Sequence, residues 1–170
     1  MGGKKHGGQR VTREEAGALF REIMVAIGQL DQFSASGIPT NAVLAGSYRR
    51  GKPDSGDLDI VLIPEMMIAF NAWCLDHFGL LKNGKVARTG LYKGVQVEFY
   101  VASEVDWGTQ LLMWTGSMQH NVVLRKAAKR MGYSLSQYGF KDSGGLLTTC
   151  ATEEAVYKFL DMEYVEPHAR

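Results

Sequence analysis

The run Asp57-Leu58-Asp59-Ile60-Val61-Leu62-Ile63, closed by Pro64, restricts what this chain can fold into more than any other segment. Successive side chains of a strand point to opposite faces, so Leu58 and Ile60 face a core while Asp57 and Asp59 project together from the other side. Two carboxylates held that close repel each other unless a cation stands between them. Hard oxygen ligands at this spacing suit Mg²⁺, which takes one or two protein carboxylates and completes its shell with water and phosphate oxygens. On these residues alone, a solvated strand end with two surface aspartates is an equal alternative.

The segment just upstream changes that balance. A short apolar strand, Ala42 to Ala45, runs into Gly46-Ser47 and then Tyr48-Arg49-Arg50-Gly51-Lys52. A strand ending in Gly-Ser at the start of a short helix turns backbone N–H groups outward, an arrangement that receives phosphate. Arg49, Arg50 and Lys52 add positive charge beside it. A phosphate cradle and a carboxylate pair in one short stretch of chain together read as a nucleoside triphosphate site. A third carboxylate is expected from a neighbouring strand. In Val95 to Val101, the residues Val95, Val97, Phe99 and Val101 face the core and leave Gln96, Glu98 and Tyr100 on the other side. Glu98 is the acid of that face; it reads as a solvent-facing strand residue or, beside the aspartate pair, as the third ligand.

Around this centre the elements follow from local signals. Thr12 with Glu15 forms a capping box, and Ala16, Leu19, Phe20, Ile23, Met24 and Ile27 recur at helical spacing. The helix stops in a polar loop containing Ser34, Ser36, Gly37 and Pro39. A helix is expected over about Met66 to Phe78, then a hairpin of Val86–Tyr92 and Val95–Ala102 turning at Lys93-Gly94. Beyond Ala102 the texture changes. Ser103 is placed to cap a helix over Glu104 to Trp114, and Ser117 a second one to Met131, closed by Gly132. A small β segment surrounds Tyr138 and Leu146 to Thr149, and Thr152 caps a last helix to about Leu160. The fold class predicted is α+β, with a mixed sheet and helices followed by a small α/β unit. Its expected divisions are a flexible segment 1–9, a first domain 10–103 and a second domain 104–170.

Composition narrows the function. The chain has 170 residues, 45% of them hydrophobic and 22% charged, which is a globular balance. A formal net charge of +1 does not announce a nucleic-acid binder, so any basic surface must be local. One candidate is the helix bearing Arg125, Lys126, Lys129 and Arg130 on its polar side, either a solvated face or a stripe that tracks a duplex. Two cysteines, Cys74 and Cys150, exclude a zinc ligand set and a disulfide framework. The four histidines show no ligand spacing, and Trp107, Trp114 and Tyr138 read first as core. No run is apolar enough to span a membrane and no signal peptide opens the chain, so no membrane partner and an intracellular location are expected.

The run Gly46-Ser47-x-Arg49-Arg50-Gly51…Gly56-Asp57-x-Asp59 resembles the signature of the polymerase β-like nucleotidyltransferases. The second half narrows the likeness. Trp114-Thr115-Gly116-Ser117, Asn121 and Arg125, Gly132-Tyr133…Gln137-Tyr138-Gly139, and Glu163-Tyr164-x-Glu166-Pro167 resemble the thumb of the X-family DNA polymerases in order and spacing. The likeness runs from about Arg10 to Arg170 and is similar to the minimal, palm-plus-thumb form of that family, with 10–103 as palm and 104–170 as thumb. It implies addition of dNMP from dNTP to a primer 3′-hydroxyl, in short-gap filling during DNA repair, by a monomer acting on primer-template or gapped DNA. It also implies two Mg²⁺ ions, with Mn²⁺ as a possible substitute, held by Asp57, Asp59 and Glu98. Arg10, Gly46, Ser47, Arg50 and Gly56 would bind the triphosphate. Met113, Trp114 and Gly116 would pack under the sugar, and Asn121 would reach the minor-groove edge of the incoming base. Arg125 would touch the template strand, with Lys126, Lys129 and Arg130 also on DNA. Two departures stand out: the family's third carboxylate is typically Asp, and Met113-Trp114 replaces the common Tyr-Phe. A nucleotidyltransferase acting on a small molecule or protein, and a non-catalytic DNA-binding module with a decayed site, are the rival readings.

Overall fold

Thr12 and Glu15 start the first helix by satisfying each other. The Glu15 carboxylate accepts from the Thr12 amide at 2.7 Å and from its hydroxyl at 2.9 Å, and the Glu15 amide donates back to the Thr12 hydroxyl at 3.2 Å. This is the reciprocal capping expected from the sequence. The computed structural model describes residues 8–30, 42–64, 67–84 and 87–170. The expected loop through Ser34, Ser36, Gly37 and Pro39, the positions Met66 and Val86, and the first seven residues lie outside the described residues.

In chain order the elements are β1 (Val11–Thr12), α1 (Arg13–Leu30), β2 (Ala42–Leu44), α2 (Gly46–Arg49), β3 (Asp54–Ser55), β4 (Leu58–Leu62), α3 (Met67–His77), β5 (Gly79–Asn83), β6 (Ala87–Tyr92), β7 (Val95–Val101), α4 (Trp107–Thr115), α5 (Met118–Arg130), β8 (Ser134–Ser136), β9 (Gly139–Lys141), β10 (Leu147–Thr148) and α6 (Glu153–Phe159). The chain divides into two compact units. One comprises the described part of Met1–Leu44 with Lys52–Val101, the other Ala45–Gly51 with Ala102–Arg170.

The first unit is built on a five-stranded mixed sheet ordered β2-β4-β7-β6-β5. Only the β4–β7 pair is parallel among these neighbours; the others run antiparallel. The β6–β7 hairpin turns at Lys93 (φ 49) and Gly94 (φ 79), the left-handed pair that a two-residue turn between twisted strands requires. Leu58, Ile60, Val97 and Phe99 are at most 1% exposed, and Phe70 of α3 meets Phe99 edge-on at 5.3 Å between ring centres. Two features were not anticipated. β5 adds an outer strand beside β6, and β1 pairs with β3 in a small ribbon that joins Val11 to Ser55.

The second unit packs α4, α5 and α6 with a three-stranded antiparallel sheet ordered β10-β9-β8. Leu112, Leu124, Phe140, Val156 and Tyr157 form its centre, and Phe140 stacks on Phe159 at 4.0 Å. Ser117 and Thr152 cap α5 and α6 as expected, accepting from His120 N at 3.3 Å and Ala155 N at 3.1 Å. The expected helix from Glu104 begins instead at Trp107. The reason is the Asp106 carboxylate, which accepts from both the amide and the hydroxyl of Ser103 at 2.7 Å and holds residues 103–106 as a turn. Tyr138, read as core, is 36% exposed beside the β8–β9 turn, and Trp107 and Trp114 are half-buried.

Candidate active site

Parallel pairing of β4 with β7 sets Asp59 directly opposite Glu98. Both therefore project from one face of the sheet, above Leu58, Ile60, Val97 and Phe99, which fill the other. Asp57 precedes β4 by one residue and is half-buried, like Asp59 and Glu98. The Tyr100 hydroxyl donates to Glu98 Oε2 and lies 3.3 Å from Asp59 Oδ1. Gln96 Nε2 donates to the other Glu98 oxygen, Oε1, at 2.7 Å. Burial, reinforced by the charges of Asp59 and Glu98, pushes the Tyr100 phenol far above its usual value, so it stays protonated and acts as a donor. Gln96 and Tyr100, 8% and 6% exposed, were not identified from the sequence as site residues. Their signal was available: they stand two residues either side of Glu98 on the same strand face.

Among the described residues, no three carboxylate, imidazole or thiol groups are gathered as a ready metal-binding cluster. The donor chemistry nevertheless fits a hard divalent cation. Asp57, Asp59 and Glu98 offer carboxylate oxygens alone, and two of them face each other from adjacent strands. Also in this unit, Arg10 forms an exposed ion pair with Asp54. Its Nη1 stands 3.3 Å from where a Cβ on Gly56 would sit, so these two expected phosphate contacts are neighbours.

The other expected residues lie in the second unit. Gly46 and Ser47 begin the single turn of α2. Arg50 donates through Nη1 to the Thr115 carbonyl, and its buried Nε has no hydrogen-bond partner among the described residues. Gly116 adopts φ +69, which favours glycine, and a Cβ there would sit tightly at 3.1 Å from Arg50 Nη1. Arg49 is held elsewhere. Its two terminal nitrogens grip Glu153 at 2.8 and 2.7 Å, and Nη1 also reaches Thr115 Oγ1 at 2.9 Å. Glu153, 5% exposed, additionally accepts from Arg170 Nη1 at 2.7 Å and the Tyr164 hydroxyl at 3.2 Å. Burial raises the Glu153 pKa, but the Arg49 and Arg170 bonds outweigh it and hold the carboxyl below its ordinary range. Burial likewise opposes the charge on Arg49, and the Glu153 bonds more than offset it. In sequence, Glu153 reads as an ordinary first-turn acid of α6, and nothing local marks its partners.

Met113 is 5% exposed and belongs to the core; its carbonyl accepts from Asn121 Nδ2 at 2.8 Å. Asn121 Oδ1 is buried without a hydrogen-bond partner among the described residues. The Trp114 indole donates to Gln110 Oε1 at 2.9 Å, and Gln110 in turn donates to Asp106 at 3.2 Å. On α5, Arg125, Lys126, Lys129 and Arg130 are exposed while Leu124, Ala127 and Ala128 are buried. Arg125, Lys129, Tyr133, Ser134 and Lys141 are among the residues lining a cleft of about 510 Å³. No described helix is long and apolar enough to cross a membrane.

Comparison with known proteins relates the chain to DNA polymerases. The DNA polymerase beta thumb family matches residues 110–170. The chain is 25% identical over 198 residues to DNA polymerase lambda of Arabidopsis thaliana, covering 95% of this chain and 36% of that protein. It is 27% identical over 194 residues to DNA polymerase lambda of Rattus norvegicus, covering 95% and 33%. With the DNA polymerase/3′-5′ exonuclease PolX of Bacillus subtilis it shares 28% over 137 residues, covering 74% and 23%. The chain thus spans little more than a third of these relatives at most. Its α+β fold is polymerase β-like, its residues 110–170 match the DNA polymerase beta thumb family, and the chain is a relative of the X-family DNA polymerases.

Proposed function

We propose that the chain adds dNMP from a dNTP to the 3′-hydroxyl of a DNA primer, in short-gap filling of the kind that serves DNA repair. The observation that carries this reading is the register of β4 and β7, which sets Asp59, two residues after Asp57 in sequence, opposite Glu98, in a chain whose residues 110–170 match the DNA polymerase beta thumb family. When bound, two Mg²⁺ ions, or Mn²⁺ in their place, activate the primer 3′-oxygen and neutralise the triphosphate. Asp57 and Asp59 would hold both ions, and Glu98 would join them at the one that activates the primer 3′-oxygen. Arg10, Gly46, Ser47, Arg50 and Gly56 bind the triphosphate; the unmet Nε donor of Arg50 is the kind of group that receives a phosphate oxygen. Met113, Trp114 and Gly116 form the floor under the sugar. Asn121, whose Oδ1 is unmet, reads the edge of the incoming base. The exposed cations of α5 follow the duplex, with Arg125 on the template strand. Protein groups thus supply position and charge rather than a covalent intermediate.

Primer extension on gapped, nicked and single-stranded DNA, with Mg²⁺ and with Mn²⁺, tests this reading. Stepwise extension of the gapped substrate is the expected result. Nucleotide transfer to a small molecule or protein without extension would favour the broader nucleotidyltransferase class. DNA binding without transfer in either metal would mark a non-catalytic module.

A further inference from the structure

Asp59 and Glu98 face each other from adjacent strands, whose backbones in any sheet lie about 4.8 Å apart. Two carboxylates gathered on one face of a sheet repel each other, yet both lie against one neutral donor, the Tyr100 hydroxyl. Tyr100 is 6% exposed, so its hydroxyl approaches them from within the protein. We propose that Tyr100 is a positioning residue of the cation site: its hydroxyl stands in for the ion between Asp59 and Glu98, keeps the two ligands together, and must be displaced when a divalent cation binds. The inference rests on the reading of Asp59 and Glu98 as ligands.

The two neighbours of Glu98 therefore act differently. A carboxylate oxygen has more than one acceptor direction, so the Gln96 bond to Oε1 aims the group and leaves it able to coordinate. The Tyr100 hydroxyl contacts both carboxylates at once and would therefore compete with a cation for them. Tyr100 thus gives order to the cation-free site and at the same time weakens its affinity. The longer reach of glutamate belongs to this arrangement, because its carboxylate meets a side chain two residues further along the same strand.

The test is Mn²⁺ binding by the full chain without nucleotide or DNA, read as the free-ion signal in electron paramagnetic resonance. Tyr100→Phe keeps the ring and removes the hydroxyl. It should bind Mn²⁺ roughly tenfold more tightly, the lower end of what one hydrogen bond to a charged group is worth. Unchanged or weaker binding in Tyr100→Phe, with Asp59→Asn defective, would overturn the inference and leave the ligand reading standing. An Asp59→Asn variant that binds like wild type would overturn both. A second measurement needs no variant of the site beyond assignment. In ¹³C-tyrosine NMR of the wild-type chain, Mg²⁺ should shift the Tyr100 ring resonances as the hydroxyl is released. A Tyr100 signal that stays fixed while Mg²⁺ binds would also overturn the proposal.

Discussion

Glu98 is one methylene longer than aspartate, and both its oxygens are engaged by Gln96 and Tyr100 on its own strand. Its charge, rather than its length, is what a cation needs. Glu98→Gln should therefore cripple nucleotide addition, while Glu98→Asp should preserve it or raise it in Mg²⁺, the ion least tolerant of a misplaced ligand. Incorporation rates of the two variants in Mg²⁺ and Mn²⁺ check this; a fully active Glu98→Gln would make Glu98 a bystander. Arg50 is tied to the Thr115 carbonyl through Nη1, while its Nε has no hydrogen-bond partner among the described residues. Arg50→Ala should weaken dNTP binding by about 1.5–3 kcal/mol, or roughly tenfold to a hundredfold, with DNA affinity little changed. The dNTP dependence of single-turnover incorporation measures it, and unchanged dependence removes Arg50 from the triphosphate site.

At the scale of elements, the single turn of α2 has no side-chain cap of its own and is anchored through Arg49 to Glu153 of α6, which also holds Arg170. Removing one member of a buried pair leaves the others charged and unpaired, so Glu153→Ala should destabilise the second unit by about 3–5 kcal/mol in denaturant unfolding. The folded-state pKa of Glu153 is depressed, so its stabilising contribution is present above the ordinary carboxylate range, near 4.5, and is lost as pH falls through the lowered value. The Glu153→Ala variant should accordingly lose its deficit relative to wild type only in strongly acidic solution. The exposed cations of α5 make a separate prediction. Replacing Lys126 and Lys129 with Ala should make the log–log salt dependence of DNA binding shallower by about two units if both contact phosphate, without changing metal dependence. The caps at Thr12, Ser117 and Thr152 and the Lys93-Gly94 turn were legible in the sequence because each is decided within a few residues. So was the facing of Asp59 from its strand, since period-two alternation sets it. The strands β5 and β1 were not, because Gly79-Leu80-Leu81-Lys82-Asn83 does not alternate and two residues carry no period. The Arg49–Glu153 bond joins residues 104 apart in sequence, and the burial of Gln96 and Tyr100 depends on what covers that face; neither leaves a local mark.

For the whole molecule, the carboxylates lie in one compact unit, while Ser47, Arg50 and the thumb cations lie in the other. The chain's formal net charge is only +1, so on the proposed function its grip on a duplex would depend on a few local cations. Synthesis by this chain should be distributive, with release after nearly every addition and an extension pattern that shortens steeply as salt rises. The measurement closest to the central claim is single-turnover incorporation of one nucleotide into gapped DNA by wild type and Asp59→Ala, with DNA binding followed in parallel. Wild type should show Mg²⁺- or Mn²⁺-dependent incorporation, and Asp59→Ala none although that variant folds and binds DNA as before. Undiminished incorporation by Asp59→Ala would contradict that claim.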